Sequence, residues 1–497
     1  MEIIPGAERE EENHFLPKGQ SLPAHDARSG SEPRPGISAT LLETAPAQED
    51  GSLSPGEIRR MVVRLAWPVI LENLLQTMIG VVDMLMVSRL GREAIAGVGV
   101  ATQILFVVFA GIGALAMGTT VLVARFTGAR QPHMASRVLQ QSVMLCTLLA
   151  GILTVAGGAG SYWMVQVLGP EPEVVRLGGD YLRLVFLFSF FLVAMFVLGG
   201  ALRGAGDSRT PMLVTALSNV INALVAYVLI FGFGGLPALG VLGSAWGAVS
   251  ARIVGTLLLL LVLLRGRAGL YLPLQPARWV IDLALARRIL AIGIPSMIEQ
   301  LSRSGGMLVY STVVISLGTM VFATQRITFN ILGISFMPGF GFGMAATALT
   351  GQSLGARRPE QARLATWFAM RSCMIWMTLA ALTFFFLGEQ IIRLFTNDPE
   401  IVQLGARCLK IIAFGQPLQA IAMVTAGGLR GAGDTRFPMI VTSASMWLVR
   451  IPVAYVLAVR AGLGLPGAFY SFLFGSLLEA SLNFLRFRAG KWQQIEV

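Results

Sequence analysis

Glu72, Gln76 and Asp83 are among the polar residues that interrupt the apolar stretch "LAWPVILENLLQTMIGVVDMLMV" at 65–87. At about 100° per residue they fall within about 40° of one another on a helix, so they form one stripe. Glu299, Arg303 and Tyr310 repeat the same spacing further along. A charge at the centre of a membrane-spanning helix costs about 2.5–3.5 kcal/mol, so each must face the protein interior or water. Asp83 has no partner on its own helix. It can exchange a proton or, when ionised, hold a sodium ion. Glu299 has Arg303 one turn away, within reach of a structural salt bridge. Glu72 is expected to cap or pair with a neighbouring helix. Elsewhere, Arg450 in "WLVRIP" needs a carboxylate, and Glu479 is the nearest candidate in sequence. Buried amides such as Asn219 and Asn222 read first as glue between helices.

The composition says what positions these groups. Of 497 residues, 55% are hydrophobic and only 13% charged, with mean hydropathy +0.69. A soluble domain carries about a quarter charged residues. An all-α membrane protein is expected. The net charge of +11 fits basic loops between spans better than a nucleic-acid surface. Cys146, Cys373 and Cys408 lack metal-ligand spacing and read as packing residues. His14, His25 and His133 lie outside the spans, and no catalytic cluster is found, so neither an enzyme, a cofactor nor a firm metal site is expected. Residues 1–57 are Pro-, Ser- and Glu-rich and lack a signal-peptide pattern, which predicts a disordered cytoplasmic tail.

The chain is built twice. "LRGAGDSRTPM" at 202–212 returns as "LRGAGDTRFPM" at 429–439. At the same 227-residue offset Pro68 meets Pro295, Glu72 meets Glu299, "GARQP" (128–132) meets "GARRP" (355–359), and Cys146 meets Cys373. One residue later in register, "VAYVL" at 225–229 meets 453–457, and Asn222 meets Arg450. The halves run over 58–270 and 283–488, joined by a linker at 271–282 and followed by a short cytoplasmic tail at 489–497. Spans of about 20 apolar residues are expected near 62–88, 96–124, 137–158, 181–203, 212–232 and 242–264, and again near 288–317, 322–351, 366–387, 406–429, 438–459 and 466–487. Twelve helices then form two six-helix bundles. An even number per half gives a pseudo-two-fold axis along the membrane normal. Both bundles aim a polar ridge inward, and Glu72, Gln76, Arg303, Tyr310 and Gln419 are candidate polar lining. "MPGFGFGM" (337–344) is expected to be unwound or bent. Arginines around 59–64, 125–137, 265–288, 357–363 and 486–488 place both termini in the cytoplasm by the positive-inside rule.

In the LRGAGD copies, Arg203 and Arg430 suit the negative end of a helix. Their glycines stop it, and Pro211 and Pro438 start the next. Asp207 and Asp434 are expected to pair with the arginine four residues earlier, neutralising a tight turn.

"PVILENLLQTMIGVVDMLMVSRLG", "MAATALTGQSLGARRPEQAR", "LRGAGDTRFPM" and "WLVRIPVAYVL" together resemble the bacterial branch of the multidrug and toxic compound extrusion (MATE) family, over about 58–488. The resemblance implies a monomeric twelve-span antiporter of the bacterial inner membrane. Such a protein exports amphipathic, often cationic organic compounds through a central V-shaped cavity in exchange for protons or sodium. It also implies coupling roles for Asp83, Asn222 and Glu299, with sodium possible at Asp83. Two departures stand out. Ala226 occupies a place where the family often has an aspartate, and the tenth span offers only Gln416 and Gln419 in place of an acid. Both favour protons over sodium. The alternative is a lipid-linked oligosaccharide flippase of the same superfamily.

Overall fold

The computed structural model describes residues 54–169, 171–232, 237–272 and 279–495. The expected disordered tail at 1–57 therefore lies almost wholly outside the described residues, as do 273–278 of the linker and 496–497 of the C-terminal tail.

Every long element is a helix. The first half contains α1 (Pro55–Val87), α2 (Arg92–Gly128), α3 (Pro132–Gln166), α4 in two segments (Pro172–Leu187 and Ser189–Gly204), α5 (Arg209–Phe231) and α6 (Val241–Leu264). The second contains α7 (Leu283–Ile315), α8 (Thr319–Gly355), α9 (Pro359–Arg393), α10 in two segments (Pro399–Ala413 and Gln416–Gly431), α11 (Arg436–Arg460) and α12 (Gly464–Arg488). Among the described residues nine helices are long and apolar enough to cross a membrane, and the two bent pairs bring the number to eleven. The twelfth, α7, has 33 residues but carries the Glu299–Arg303 face and is less apolar. The all-α, two-bundle membrane architecture expected from the sequence is present.

Local signals explain many of the helix starts. Ser54 caps α1 in a capping box with Glu57, and Asp282 and Asp398 cap α7 and the first segment of α10. Proline opens α3 and α9 (Pro132, Pro359), and likewise α4 and α10 (Pro172, Pro399), each pair 227 residues apart. The bends are another matter. The two segments of α4 meet at 59° around Phe188, and those of α10 at 52° before Gln416. Pro417 explains the second. No proline marks the first; instead Thr154 donates to the freed Phe186 carbonyl at 2.9 Å, and Ser189 donates to Ala150 at 2.9 Å. Such partners are what a broken helix needs away from water. At "MPGFGFGM" α8 continues as helix, contrary to the expected unwinding.

The halves are interleaved at their arginine-rich ends. Ile58, Val62, Leu65 and Ala66 of α1 belong to a core built from α8, α9 and α10, while Leu285, Ile289 and Ile292 of α7 join the core of the first half. Two glycines make the closest approach possible: a Cβ on Gly128 would run into the Gln352 carbonyl, and one on Gly355 into the Arg125 carbonyl. These two contacts are the same contact seen from each half, since 128 and 355, and 125 and 352, are repeat equivalents.

Candidate functional site

Glu72 on α1 is buried and paired. Arg203, at the end of α4, gives both its oxygens a 3.0 Å bond through one nitrogen, and the Thr215 hydroxyl of α5 donates at 3.4 Å. The second half repeats this. Glu299 of α7 receives Arg430 at 2.5 Å, Thr442 at 3.3 Å and Arg303 at 3.5 Å. The acid, its distant arginine and the threonine all recur at the 227 offset, and Arg303 has no charged counterpart in the first half. The arginine of each LRGAGD copy thus serves an acid 131 residues upstream, not its own turn. This corrects the expected pairing within the turn. Asp207 accepts from Arg267 at 3.0 Å and from Thr210, and Asp434 accepts from Arg486 at 2.9 Å. The physical reason is geometric: Gly206 and Gly433 take left-handed φ of 93° and 91°, and the arginines have already turned back along their helices towards α1 and α7.

Asp83 sits differently. The Asn222 amide of α5 donates to its Oδ2 at 2.9 Å. Asp83 Oδ1 and Asn222 Oδ1 are both buried with no partner. Arg252 of α6 lies within electrostatic reach of Asp83 and of Tyr181, and its Nη1 is buried and unbonded. Ala226, one turn beyond Asn222, is fully buried, and a Cβ on Gly247 would meet its Cβ at 2.6 Å and Asn222 Oδ1 at 2.7 Å. Ala226 therefore packs directly against α6 at Gly247. Among the described residues no group of three or more acidic, His or Cys side chains could hold a metal ion.

The second half answers Asp83 and Asn222 with Tyr310 and Arg450. Arg450 pairs with Glu479 of α12 at 3.0 Å, as its sequence position required, and stacks over Phe472 at 4.8 Å. Both side chains are almost fully buried, 7% and 4% exposed, so the pair is a closed structural unit. Tyr310 does not line an open surface as expected: it is wholly buried, edge-on to Phe472 at 5.0 Å and Phe329 at 6.2 Å. Gln419 is also buried, accepting from Ser476 at 3.0 Å, and Gln416 accepts from Ser335 at 2.9 Å. Both carbonyl oxygens are engaged in bonds between helices, while the Gln416 Nε2 is a buried donor without a partner. Gln76 is exposed and Arg303 half-exposed. The stripe on each helix is therefore sorted by depth into structural pairs and open groups.

Sequence reasoning missed the cross-half bonds. Arg125 of α2 donates to the Ala432 carbonyl at 2.9 Å and to the Ile495 carbonyl at 2.9 Å. Its repeat equivalent, Gln352 of α8, donates to the Gly204 carbonyl at 2.8 Å. Each half thus holds the LRGAGD turn of the other. The C-terminal segment takes part: Trp492 is buried, stacked on Phe487 at 5.1 Å, which fixes Ile495 beside Arg125. Arg252 could have been found as one more charge inside an apolar run. Arg125 gave no local signal.

Comparison with known proteins agrees with this duplicated architecture. The MatE family matches residues 68–228 and 295–456. The two matches begin 227 and end 228 residues apart, the offset of the internal repeat. The probable multidrug resistance protein NorM of Thermotoga maritima is 33% identical over 439 residues, covering 88% of this chain and 94% of that protein. Multidrug resistance protein PmpM of Pseudomonas aeruginosa is 28% identical over 403 residues, covering 80% and 83%. A solved structure described as the outward-facing conformation of a multidrug resistance MATE family transporter of the MOP superfamily superposes with a TM-score of 0.81 at 25% identity, over 87% of this chain and 95% of that one. With two repeat-related helical bundles, their matching ladder of residues and relatives along nearly its whole spanning region, the chain belongs to the MATE family of membrane transporters.

Proposed function

We propose that this protein exports amphipathic, often cationic organic compounds from the cell by alternating access, driven by protons entering through Asp83. Its relatives are described as multidrug resistance proteins, and the two bundles supply the halves that rock about a central site. The observation that carries the coupling assignment is the state of Asp83: one oxygen held by Asn222, the other buried and free. A free, desolvated oxygen is a place for a proton. Sodium would need several oxygens. Here the charged group within electrostatic reach is the cation Arg252, and the position that could add a second acid holds Ala226, packed against Gly247. When Asp83 is charged it offsets the charge of Arg252; when protonated it leaves that guanidinium uncompensated. The two protonation states thus favour different arrangements of α1, α5 and α6, as exchange requires. Glu299, with its arginines, is a fixed pair in this scheme, and its coupling role is indirect.

The arginine-rich end is assigned to the cytoplasm of the inner membrane, with one chain as the working unit. One unit of pH gradient supplies about 1.36 kcal/mol per proton. The test is efflux of a cationic dye from proteoliposomes under a pH gradient, a sodium gradient or neither. Dye movement under the pH gradient alone is expected. Movement under sodium alone would reassign the ion. Movement of a lipid-linked sugar, with no dye movement at all, would favour the flippase.

A further inference from the structure

A cavity of about 490 Å³ opens at the arginine-rich end between the two halves. Its walls are the repeat-equivalent turns after α2 and α8. Arg130 and Gln131 come from one half, Arg357 and Arg358 from the other, with Gln361 of α9 beside them. Among the described residues no carboxylate lines it. None of the three arginines has an ion pair among the described residues, and Gln361 Nε2 is a buried donor without a partner. These residues therefore offer the cavity mainly donor groups, most of them charged. Gln131 and Arg358 also occupy the cap positions of α3 and α9, and neither helix start receives a side-chain cap bond. Exposed helix N-termini add positive potential to the same space. Arg130 and Arg357 hold left-handed φ of 57° and 59°, where glycine is the usual choice. Both halves accept that conformation to keep an arginine at this seam.

The geometry points to a binding site for a phosphate-bearing anion, bridged by arginines of both halves at the cytoplasmic seam. Planar guanidinium groups bind phosphate through paired hydrogen bonds. The same chemistry is offered by a soluble polyphosphate and by the headgroup of an acidic phospholipid. Because Arg130 and Arg357 belong to different halves, an occupant binds only while this end is closed, and its binding favours that state.

The site is testable without transport, so its failure is distinguishable from failure of the exporter reading. The full chain, purified in neutral detergent, is titrated with pyrophosphate and, separately, with short-chain phosphatidylglycerol, while its thermal unfolding is followed. Chloride holds the ionic strength constant, and short-chain phosphatidylcholine is the lipid control. A saturable rise in unfolding temperature is expected with at least one ligand. Pyrophosphate alone identifies a soluble occupant, and phosphatidylglycerol alone identifies a headgroup. The double variant Arg130→Asn/Arg357→Asn keeps side chains suited to left-handed backbone. It should need about tenfold or more ligand for the same shift, as expected when charge-assisted contacts are lost. Arg358→Gln, which leaves both turns untouched, should weaken the response in the same direction. No rise beyond the chloride and phosphatidylcholine controls would overturn the site, as would an undiminished rise in both variants.

Discussion

Glu72 and Arg203 bind each other across the first half through two 3.0 Å contacts, and Glu299 and Arg430 repeat the pair in the second. The LRGAGD motif is duplicated because each bundle needs its own buried countercharge for its leading helix. Removing one member of such a pair strands the other away from water, at a cost of about 3–5 kcal/mol. Glu72→Gln and Arg203→Gln should each lower the unfolding temperature of the purified protein strongly. The double change Glu72→Gln/Arg203→Gln should cost much less than the sum, because neither charge remains. Additive losses in that double-mutant cycle would show that the two residues do not serve each other.

Gly128 and Gly355 let α2 and α8 touch backbone to backbone. Gly128→Ala or Gly355→Ala places a methyl group against the opposing carbonyl, so closure at this end should fail while each bundle still folds. The expected result is near-normal insertion with dye efflux reduced about tenfold or more, consistent with overpacking penalties of about 1–3 kcal/mol. Gly158→Ala, where nothing lies within 4 Å of the added carbon, is the silent control.

Arg125 and Gln352 hold the opposite half's turn through single hydrogen bonds to carbonyl oxygens. Arg125→Ala/Gln352→Ala removes both and should loosen this end without unfolding either core. A thiol introduced at Ser353, on the cavity wall, reports the change. The three native cysteines are buried and give little background. Maleimide labelling of Ser353→Cys should rise several-fold in the double variant, since bonds worth about 0.5–1.5 kcal/mol each are lost. Unchanged labelling would remove the latch from the account.

Ala226 faces Gly247 with no space between. Ala226→Asp, which would supply the acid that this chain lacks, should destabilise the protein by more than about 1 kcal/mol through overpacking and an unpaired charge. It should not make efflux sodium-dependent. Sodium-driven dye movement in that variant would show that the position can accept a ligand after all.

The sequence displayed the larger architecture because a repeat is visible without any knowledge of contacts. Pro68 and Pro295, or the two LRGAGD copies, align by eye. The partner of Arg203 was harder to see. Asp207 lies four residues away and drew the local assignment, whereas Glu72 lies 131 residues upstream. The clue was there: both members of the true pair recur at one offset. Arg450 and Glu479 were legible because a buried cation demands an acid and few are available. The bend at Phe188 was not legible, since the bonds that accommodate it, Thr154 to the Phe186 carbonyl and Ser189 to the Ala150 carbonyl of α3, are tertiary. Tyr310 proves buried because helical phase places a residue on a face without saying what covers that face.

The central claim is that Asp83 carries the exchanged proton. The most direct measurement follows internal pH in proteoliposomes when a cationic dye is added on one side with no imposed gradient. The wild-type protein should move protons in the direction opposite to the dye, and Asp83→Asn should bind dye yet move no protons. Dye-dependent proton movement persisting in Asp83→Asn at the wild-type rate would contradict the account.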